Sequence, residues 1–330
     1  MDEARFFYYR KGDFMLIQVL ILIVGFVVLI KGADIFVDGA SNLARNFKLS
    51  KMFVGLTIVA FGTSAPELAV SIKSMISGSG EIVLGNVIGS NILNILLILG
   101  CSSLVHDLTV KNATVKKELP ITLLLTSLLI VLMSDKLLSN QPNLLDRGDG
   151  ITILLVFLVF IYYLISMMRN KKDKEEDEDE ELFSIPKSII YTIVGILAIV
   201  FGSNFVVDSA TKIATYLGVS ERIIGLTIIA LGTSLPELVT SVVATKKGEY
   251  DIAIGNVVGS NIFNIGIVLG IPITIFGTVS IGSFSNIDLI FFFLAAFMLF
   301  IFSANDYKIR KIEGIMLLFM FLVYYTLVLI

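Results

Sequence analysis

Residues 55–68 read GLTIVAFGTSAPEL, and residues 225–238 read GLTIIALGTSLPEL. A second pair of motifs follows in the same register, since residues 85–94 read GNVIGSNILN and residues 255–264 read GNVVGSNIFN. One offset of 170 residues aligns all four segments without a gap, and about half of the positions in this part of the two halves are identical. The chain is therefore predicted to contain two copies of one structural unit.

The composition is that of a membrane protein. Of the 330 residues, 56% are hydrophobic and 16% are charged, with a mean hydropathy of +0.91, whereas about a quarter of the residues of a soluble domain are charged. The hydrophobic residues form blocks close to the length of about 20 residues that a bilayer requires. We place ten predicted transmembrane helices at residues 15–37, 53–77, 82–104, 117–133, 150–168, 187–207, 223–245, 252–275, 286–303 and 312–330. Runs such as 151–165 are hydrophobic on every face, which favours helices over β-barrel strands.

The repeat and the helix count together predict the topology. The first repeat covers residues 15–168, a polar linker covers residues 169–186, and the second repeat covers residues 187–330. Five helices in each repeat place equivalent positions on opposite sides of the membrane, because five is odd. The predicted fold is an all-α integral membrane protein with ten transmembrane helices in two inverted five-helix repeats. Such repeats commonly hold a substrate site on broken helices near the bilayer midplane and alternate its access.

The polar segments predict the orientation of the protein. Most Lys and Arg residues near helix ends lie on the side of the linker, which favours a cytoplasmic linker and both termini outside. The acidic run at 175–181 lacks the ligand spacing of an EF-hand and is typical of a solvated, disordered linker. Residues 1–14 precede the first hydrophobic block, and we expect them to be dispensable.

Glu67 and Glu237 lie in the middle of otherwise hydrophobic segments. A charged side chain at the bilayer centre costs about 3 kcal/mol unless it is paired or hydrated. The nearest basic residues, Lys73 and Lys246, lie toward helix ends. A bound cation is therefore the predicted partner of each glutamate.

Each glutamate belongs to a repeated group of helix-breaking and oxygen-bearing residues. Pro66 lacks a backbone donor and frees the carbonyl of Gly62, so we expect the helix to bend or unwind there. Hydroxyl, carbonyl and carboxylate oxygens would then converge, and these are the ligands that Ca²⁺ and Na⁺ prefer. The group consists of Thr63, Ser64, Pro66 and Glu67 in the first half and of Thr233, Ser234, Pro236 and Glu237 in the second.

Two further motifs would add neutral oxygens and close packing. Ser90 and Asn94, repeated as Ser260 and Asn264, are four residues apart and share one helical face. Four glycines have a spacing that permits close helix approach, namely Gly85, Gly89, Gly255 and Gly259. The alternative for the hydroxyls is a bond to a backbone carbonyl, and the alternative for the glycines is packing alone. Two carboxylates among neutral oxygens would balance one Ca²⁺ or a few monovalent cations, as exchange requires.

The sequence also argues against other functions. The net charge is −3, and there is no basic patch with interleaved aromatic residues, so no nucleic-acid partner is predicted. Cys101 and His106 are the only residues of their types and lie near the end of the third hydrophobic block, where a packed or solvated role is expected. We find no zinc or haem ligand set and no nucleophile with a base, and predict neither a cofactor nor enzyme activity.

At these motifs the chain resembles the sodium/calcium exchanger family, whose two inverted repeats carry GTS-P-E and GN-x-x-GSN signatures. The resemblance covers nearly the whole sequence and is closest to the compact prokaryotic members. It implies an ion centre on the second, third, seventh and eighth helices and sliding of the first and sixth. The ligands that it implies are Thr63, Ser64, Glu67, Ser90 and Asn94, their counterparts Thr233, Ser234, Glu237, Ser260 and Asn264, and the carbonyls of Ala60 and Ala230.

The resemblance implies Na⁺/Ca²⁺ antiport that extrudes Ca²⁺ across the cell membrane. Asn264 stands where potassium-dependent relatives carry aspartate, which argues against a requirement for K⁺. One alternative is H⁺/Ca²⁺ exchange, in which the glutamates would carry protons, and a less favoured one is a cation channel. We expect Ca²⁺ and Na⁺ as substrates, the lipid bilayer as the surroundings, and a functional monomer.

Overall fold

The computed structural model describes residues 2–140, 142–169, 182–219, 227–228, 230–281 and 286–329. The helices of the first half are α1 (Asp2–Asn46), α2 (Lys51–Thr63), α3 (Ala65–Ile76), α4 (Gly80–Val105), α5 (Asn112–Lys116), α6 (Glu118–Leu132), α7 (Asp135–Ser139) and α8 (Arg147–Arg169). Those of the second half are α9 (Ile185–Tyr216), α10 (Ala230–Thr233), α11 (Leu235–Lys246), α12 (Tyr250–Phe276), α13 (Asn286–Ala304) and α14 (Lys311–Leu329). Within these described residues the protein is all-helical, as predicted, apart from four short strands.

Seven helices in the described part of the chain are long and hydrophobic enough to cross a membrane, and the bent pair α2 and α3 makes an eighth candidate. The seven are α1, α4, α8, α9, α12, α13 and α14. The fourth predicted span corresponds to α6, which has only 15 residues, and part of the seventh, at 223–245, lies outside the described residues. Rows of exposed hydrophobic side chains on the outer helices face where lipid would lie. The protein is a multi-pass membrane protein.

Helices α1 and α9, which correspond to the first and sixth predicted spans, are longer than their hydrophobic blocks predict. Helix α1 has 45 residues and continues to Asn46 instead of ending near 37, and α9 continues to Tyr216 instead of ending near 207. Hydropathy detects the part of a helix that lipid covers, whereas the end of α1 buries small side chains such as Ala40 and Ala44 against other helices. The end of α1 therefore belongs to the packed protein and not to the lipid-facing surface.

The polar linker returns to the end of α1. Phe183 donates its backbone N–H to Asn42 Oδ1 at 3.0 Å, and Asn46 Nδ2 donates to the Phe183 carbonyl at 2.9 Å. The acidic run at 175–181, for which a disordered linker was predicted, lies outside the described residues.

The strands join the two halves. Strand β1 (Leu108–Thr109) pairs with β4 (Lys308–Ile309), and β2 (Leu144–Leu145) pairs with β3 (Val279–Ser280), both antiparallel. Each ladder pairs a strand of the first half with a strand of the second half. The earlier strand of the first half pairs with the later strand of the second half, and the later strand of the first half pairs with the earlier strand of the second half. This exchange is the pairing that a two-fold relation between the halves produces.

Helices α1 and α9 pack side by side as a layer against the other helices. A Cβ atom at Gly39 would lie 2.5 Å from the backbone nitrogen of Thr192, and one at Gly195 would lie 2.5 Å from the backbone nitrogen of Phe36. Only glycine permits this approach. The α1 side chains belong to a small hydrophobic cluster, separate from the larger one around α4 and α12.

Candidate ion-binding site

Two broken helices place the glutamates. Helices α2 and α3 meet at Ser64 with a bend of 44°, and α10 and α11 meet at Ser234 in the same way. A proline occupies the first turn after each break, so the predicted helix disruption is confirmed. Glu67 and Glu237 lie in the first turns of α3 and α11, where the positive end of the helix dipole favours a carboxylate.

Hydrogen bonds join the predicted residues across the two halves. Ser64 Oγ donates to Glu237 Oε1 at 3.2 Å, and Ser234 Oγ donates to Ser90 Oγ at 3.3 Å. All four side chains are buried. The two breaks and one face of α4 therefore meet in one buried centre.

Six buried oxygens in this centre have no hydrogen-bond partner in the described part of the chain. They are both carboxylate oxygens of Glu67, Glu237 Oε2, Asn94 Oδ1, Asn264 Oδ1 and Ser260 Oγ. A buried polar atom without a partner costs about 1–3 kcal/mol, and more when it is charged. The two glutamates also repel each other electrostatically. A cation is the class of ligand that satisfies these oxygens and relieves the repulsion at the same time.

The Thr63 hydroxyl contacts backbone carbonyls, which was the alternative to ion binding that the sequence left open. It lies 3.1 Å from the Val59 carbonyl, 3.3 Å from the Ala60 carbonyl and 3.0 Å from Asn256 Oδ1. The Ala60 carbonyl also accepts the backbone N–H of Ser64 at 3.0 Å. Thr63 and Ala60 thus lie at the centre but also stabilise the end of α2. Their counterparts Thr233 and Ala230 are the last and first residues of α10.

Four asparagines hydrogen-bond to one another across the two halves, and only two of them were predicted as site residues. We call this group the asparagine frame, and it consists of Asn91, Asn94, Asn261 and Asn264. Asn94 Nδ2 donates to Asn261 Oδ1 at 2.9 Å, and Asn264 Nδ2 donates to Asn91 Oδ1 at 3.0 Å. Asn91 and Asn261 also donate to each other's backbone carbonyls at 3.3 and 3.4 Å. Since the amide nitrogens of Asn94 and Asn264 are held, their Oδ1 atoms are oriented away from the frame. Asn91 and Asn261 were not predicted, although their identity in both halves was an available signal.

A second pair of missed asparagines holds the glutamate-bearing turns. Asn86 Nδ2 donates to the Glu67 carbonyl at 3.0 Å and to Ser71 Oγ at 3.1 Å. Asn256 Nδ2 does the same for the Glu237 carbonyl at 3.4 Å and Ser241 Oγ at 2.9 Å. These contacts fix the first turns of α3 and α11 against α4 and α12.

The glycine prediction holds at two positions and is wrong at a third. A Cβ at Gly259 would lie 2.7 Å from the Ala60 Cβ, and one at Gly255 would lie 3.0 Å from the Gly55 Cα. A Cβ at Gly89 would meet no atom within 4 Å. Close helix approach therefore occurs between α2 and α12, and the space beside Gly89 is open.

Other titratable residues lie outside this centre. Cys101 is half-buried, and His106 Nδ1 lies 3.0 Å from the Tyr250 hydroxyl at an exposed position. Within the described ranges no group of three or more His, Cys, Asp and Glu could hold a metal ion. The centre combines two carboxylates with neutral oxygens.

The family of the chain follows from comparison with known proteins. The sodium/calcium exchanger protein family matches residues 17–166 and 187–330. The inner membrane protein YrbG of Escherichia coli is 38% identical, with 78% of this chain and 80% of YrbG covered. The sodium/calcium exchanger MaX1 of Methanosarcina acetivorans is 33% identical, with 93% and 97% covered.

The fold agrees with this assignment. The structure of the sodium-calcium exchanger NCX_Mj soaked with 10 mM Na⁺ and zero Ca²⁺ superimposes with a TM-score of 0.81 at 30% identity, covering 94% of this chain and 98% of that one. The family match extends over both halves of the sequence. The chain belongs to the sodium/calcium exchanger family.

Proposed function

We propose that this protein exchanges Na⁺ for Ca²⁺ at the buried centre between its two halves. The observation that carries the proposal is the cluster of unpartnered carboxylate and amide oxygens around Glu67 and Glu237. The name of the relative MaX1 supports it. The proposed ligands are Thr63, Ser64, Glu67, Ser90, Asn94, Thr233, Ser234, Glu237, Ser260 and Asn264, with the carbonyls of Ala60 and Ala230.

The charge of the centre supports exchange over uncoupled transport. Two carboxylates balance one Ca²⁺, and the neutral oxygens allow a small number of Na⁺ ions to take its place. Either loaded centre is nearly neutral, whereas the ion-free centre carries buried negative charge, which is costly at low dielectric. The protein would therefore change its access when it is loaded with either ion.

The proposed architecture is ten transmembrane helices in two inverted repeats that alternate the access of the centre. In this proposal α6 is a short fourth span, and the seventh span includes residues before α10. The reciprocal hydrogen bonds between the asparagines of the two halves support the two-fold relation. We place the protein in the cell membrane as a monomer, with the linker in the cytoplasm and both termini outside.

Sodium coupling is favoured over proton coupling by the hydroxyls beside each glutamate. Ser64 donates to Glu237, and Ser234 donates to Ser90, so hydroxyl and carboxylate oxygens are available together. Na⁺ requires several hard oxygen ligands, whereas a proton requires only the carboxylate. The amide of Asn264 adds no third charge, and we infer that K⁺ is not needed.

The test is ⁴⁵Ca²⁺ uptake into proteoliposomes that contain Na⁺, K⁺, choline or an acidic buffer. We expect uptake only with internal Na⁺, and the same rate with or without K⁺. Glu67→Gln should abolish uptake, because the loaded centre then lacks one negative charge. Glu81→Gln is the matched control, since Glu81 lies at an exposed position in the first turn of α4.

Each other outcome rejects part of the proposal. Uptake that an acidic interior drives equally well would replace Na⁺ by H⁺ as the coupling ion. Uptake that does not saturate and needs no internal cation would identify a channel. Unchanged uptake by Glu67→Gln would remove this carboxylate from the ion centre.

A further inference from the structure

A group of ion pairs joins α1 to the turn between α11 and α12. Lys247 Nζ lies 2.6 Å from Asp38 Oδ1 and 3.6 Å from Asp34 Oδ1, and it donates to the Asp34 carbonyl at 2.9 Å. Beside it, Glu249 Oε1 accepts from Ser41 Oγ at 2.8 Å. Two residues of the turn are thus tied to three residues of α1.

The turn directly connects the two helices that carry ligands of the proposed ion centre. Helix α11 begins beside Glu237 and ends at the turn, and α12 begins after it and carries Ser260 and Asn264. Any movement that separates α1 from the turn must break these contacts. Lys51 adds a further tie from the start of α2, with its Nζ 3.0 Å from Glu249 Oε2.

The first repeat contains an equivalent turn with which this group of ion pairs can be compared. The equivalent turn between α3 and α4 is Ser77–Ser79, and its Gly78 has φ +75° where Gly248 has φ +77°. The two turns therefore have a closely similar backbone at the glycine. The charges differ, because serines replace Lys247 and Glu249, and Asn204 replaces Asp34.

We propose that Lys247, with Asp34 and Asp38, forms a latch that holds one end of the protein closed and whose lysine is replaced by Ser77 at the equivalent turn of the other repeat. The latch makes the two access states unequal in energy, which the duplicated packing alone would leave nearly equal. The inference rests on the proposed alternating access, and the orientation proposed above places the latch on the cytoplasmic side. Lys247 and Asp38 line a cavity of about 410 Å³ that is open to solvent, so this ion pair is accessible to ions in solution.

The test measures opening by thiol labelling and needs no transport. In a Cys101→Ser background, Ala244→Cys places a reporter in α11, where Ala244 is fully buried in the cluster with α1. A second reporter, Ala296→Cys, lies in the larger cluster at 3% exposure. Labelling by a membrane-impermeant maleimide is followed in detergent.

We expect Lys247→Ser, which copies the residue at the equivalent turn, to increase labelling of the α11 reporter about two- to five-fold, the range of a partly exposed ion pair. Lys246→Ser is the matched control, since Lys246 is the exposed neighbour of Lys247, and it should leave the rate unchanged. High choline chloride should raise the parent rate by screening the pair.

Equal labelling in the parent and Lys247→Ser would overturn the latch, as would an equal increase in Lys246→Ser. Fast labelling of Ala296→Cys would reveal a misfolded variant, and the choline chloride series on the parent protein then decides the question. The latch and the proposed Na⁺/Ca²⁺ exchange can be rejected independently of each other. A protein that opens on loss of Lys247 but does not exchange Na⁺ for Ca²⁺ would keep the latch and reject the proposed function.

Discussion

Replacement of Asn91 by alanine tests whether the asparagine frame orients the ion ligands. The change removes the bond from Asn91 Nδ2 to the Asn261 carbonyl at 3.3 Å and the acceptor for Asn264 Nδ2 at 3.0 Å. Each bond contributes about 1 kcal/mol, and a buried amide left without a partner costs about 1–3 kcal/mol more. We therefore expect a loss of about 3–5 kcal/mol in the free energy of unfolding.

The loss of orientation should also weaken Ca²⁺ binding. Asn264 Oδ1 has no partner within the frame, and its amide would be free to rotate once Asn91 Oδ1 is gone. Loss of a group that orients a metal ligand typically lowers affinity about 10- to 100-fold, and we expect the lower value because Asn264 is one neutral oxygen among several. Asn261→Ala should have the same effect through Asn94.

The assay is isothermal titration of Ca²⁺ into the detergent-solubilised protein without Na⁺, together with thermal unfolding. Ser188→Ala is the control, because Ser188 is fully buried near the start of α9, donates to the Ser184 carbonyl at 3.2 Å and accepts from Asn46 at 3.0 Å. It should lower stability without changing Ca²⁺ affinity. A folded Asn91→Ala protein that binds Ca²⁺ as tightly as the parent would refute the orienting role of the frame.

Gly39→Ala and Tyr324→Phe test contacts between helices, and Gly89→Ala is the control for the glycine substitution. Gly39→Ala places a Cβ 2.5 Å from the Thr192 backbone and should lower stability by about 1–3 kcal/mol, as overpacking does. Gly89→Ala meets no atom within 4 Å and should unfold no lower than the parent, because alanine is favoured over glycine inside a helix. Tyr324→Phe removes a 3.0 Å hydrogen bond to Asp288 and should cost about 1.5–3 kcal/mol, the range for a bond to a charged group. Thermal unfolding measures both, and an unchanged unfolding temperature would contradict either expectation.

The sequence largely predicted that the two glutamates and their neighbours lie together, because buried carboxylates break the same rule in both halves. A carboxylate in a hydrophobic span is costly, and the repeat presents the same cost at Glu67 and Glu237. The proline two residues after each break also identified the bends. The supporting asparagines were harder to predict, because an amide in a helix has many possible partners and only the folded structure shows that Asn91 and Asn261 hold each other.

A second duplicated pair escaped the sequence comparison altogether. Tyr163 donates to Glu118 between α8 and α6, and Tyr324 donates to Asp288 between α14 and α13. The two pairs are separated by 45 and 36 residues along the chain, so the fixed offset no longer aligns the tyrosines. The acids also differ in type. The two halves thus contain the same kind of tyrosine–carboxylate contact, although the acidic residue and the spacing along the chain differ. A comparison at a fixed offset detects only residues that keep the same spacing in both halves.

The balance between duplicated and unduplicated residues has a consequence for transport. Residues that repeat, such as the glutamates and the asparagine frame, build a centre that looks alike from both halves, and by themselves they give the two access states similar energies. A transporter also needs each state to be populated to a suitable extent, and that preference must come from residues without a counterpart. Lys247 is such a residue, because its equivalent is Ser77. The binding chemistry is therefore expected in the repeated positions, and the preference for one side of the membrane in the positions where the halves differ.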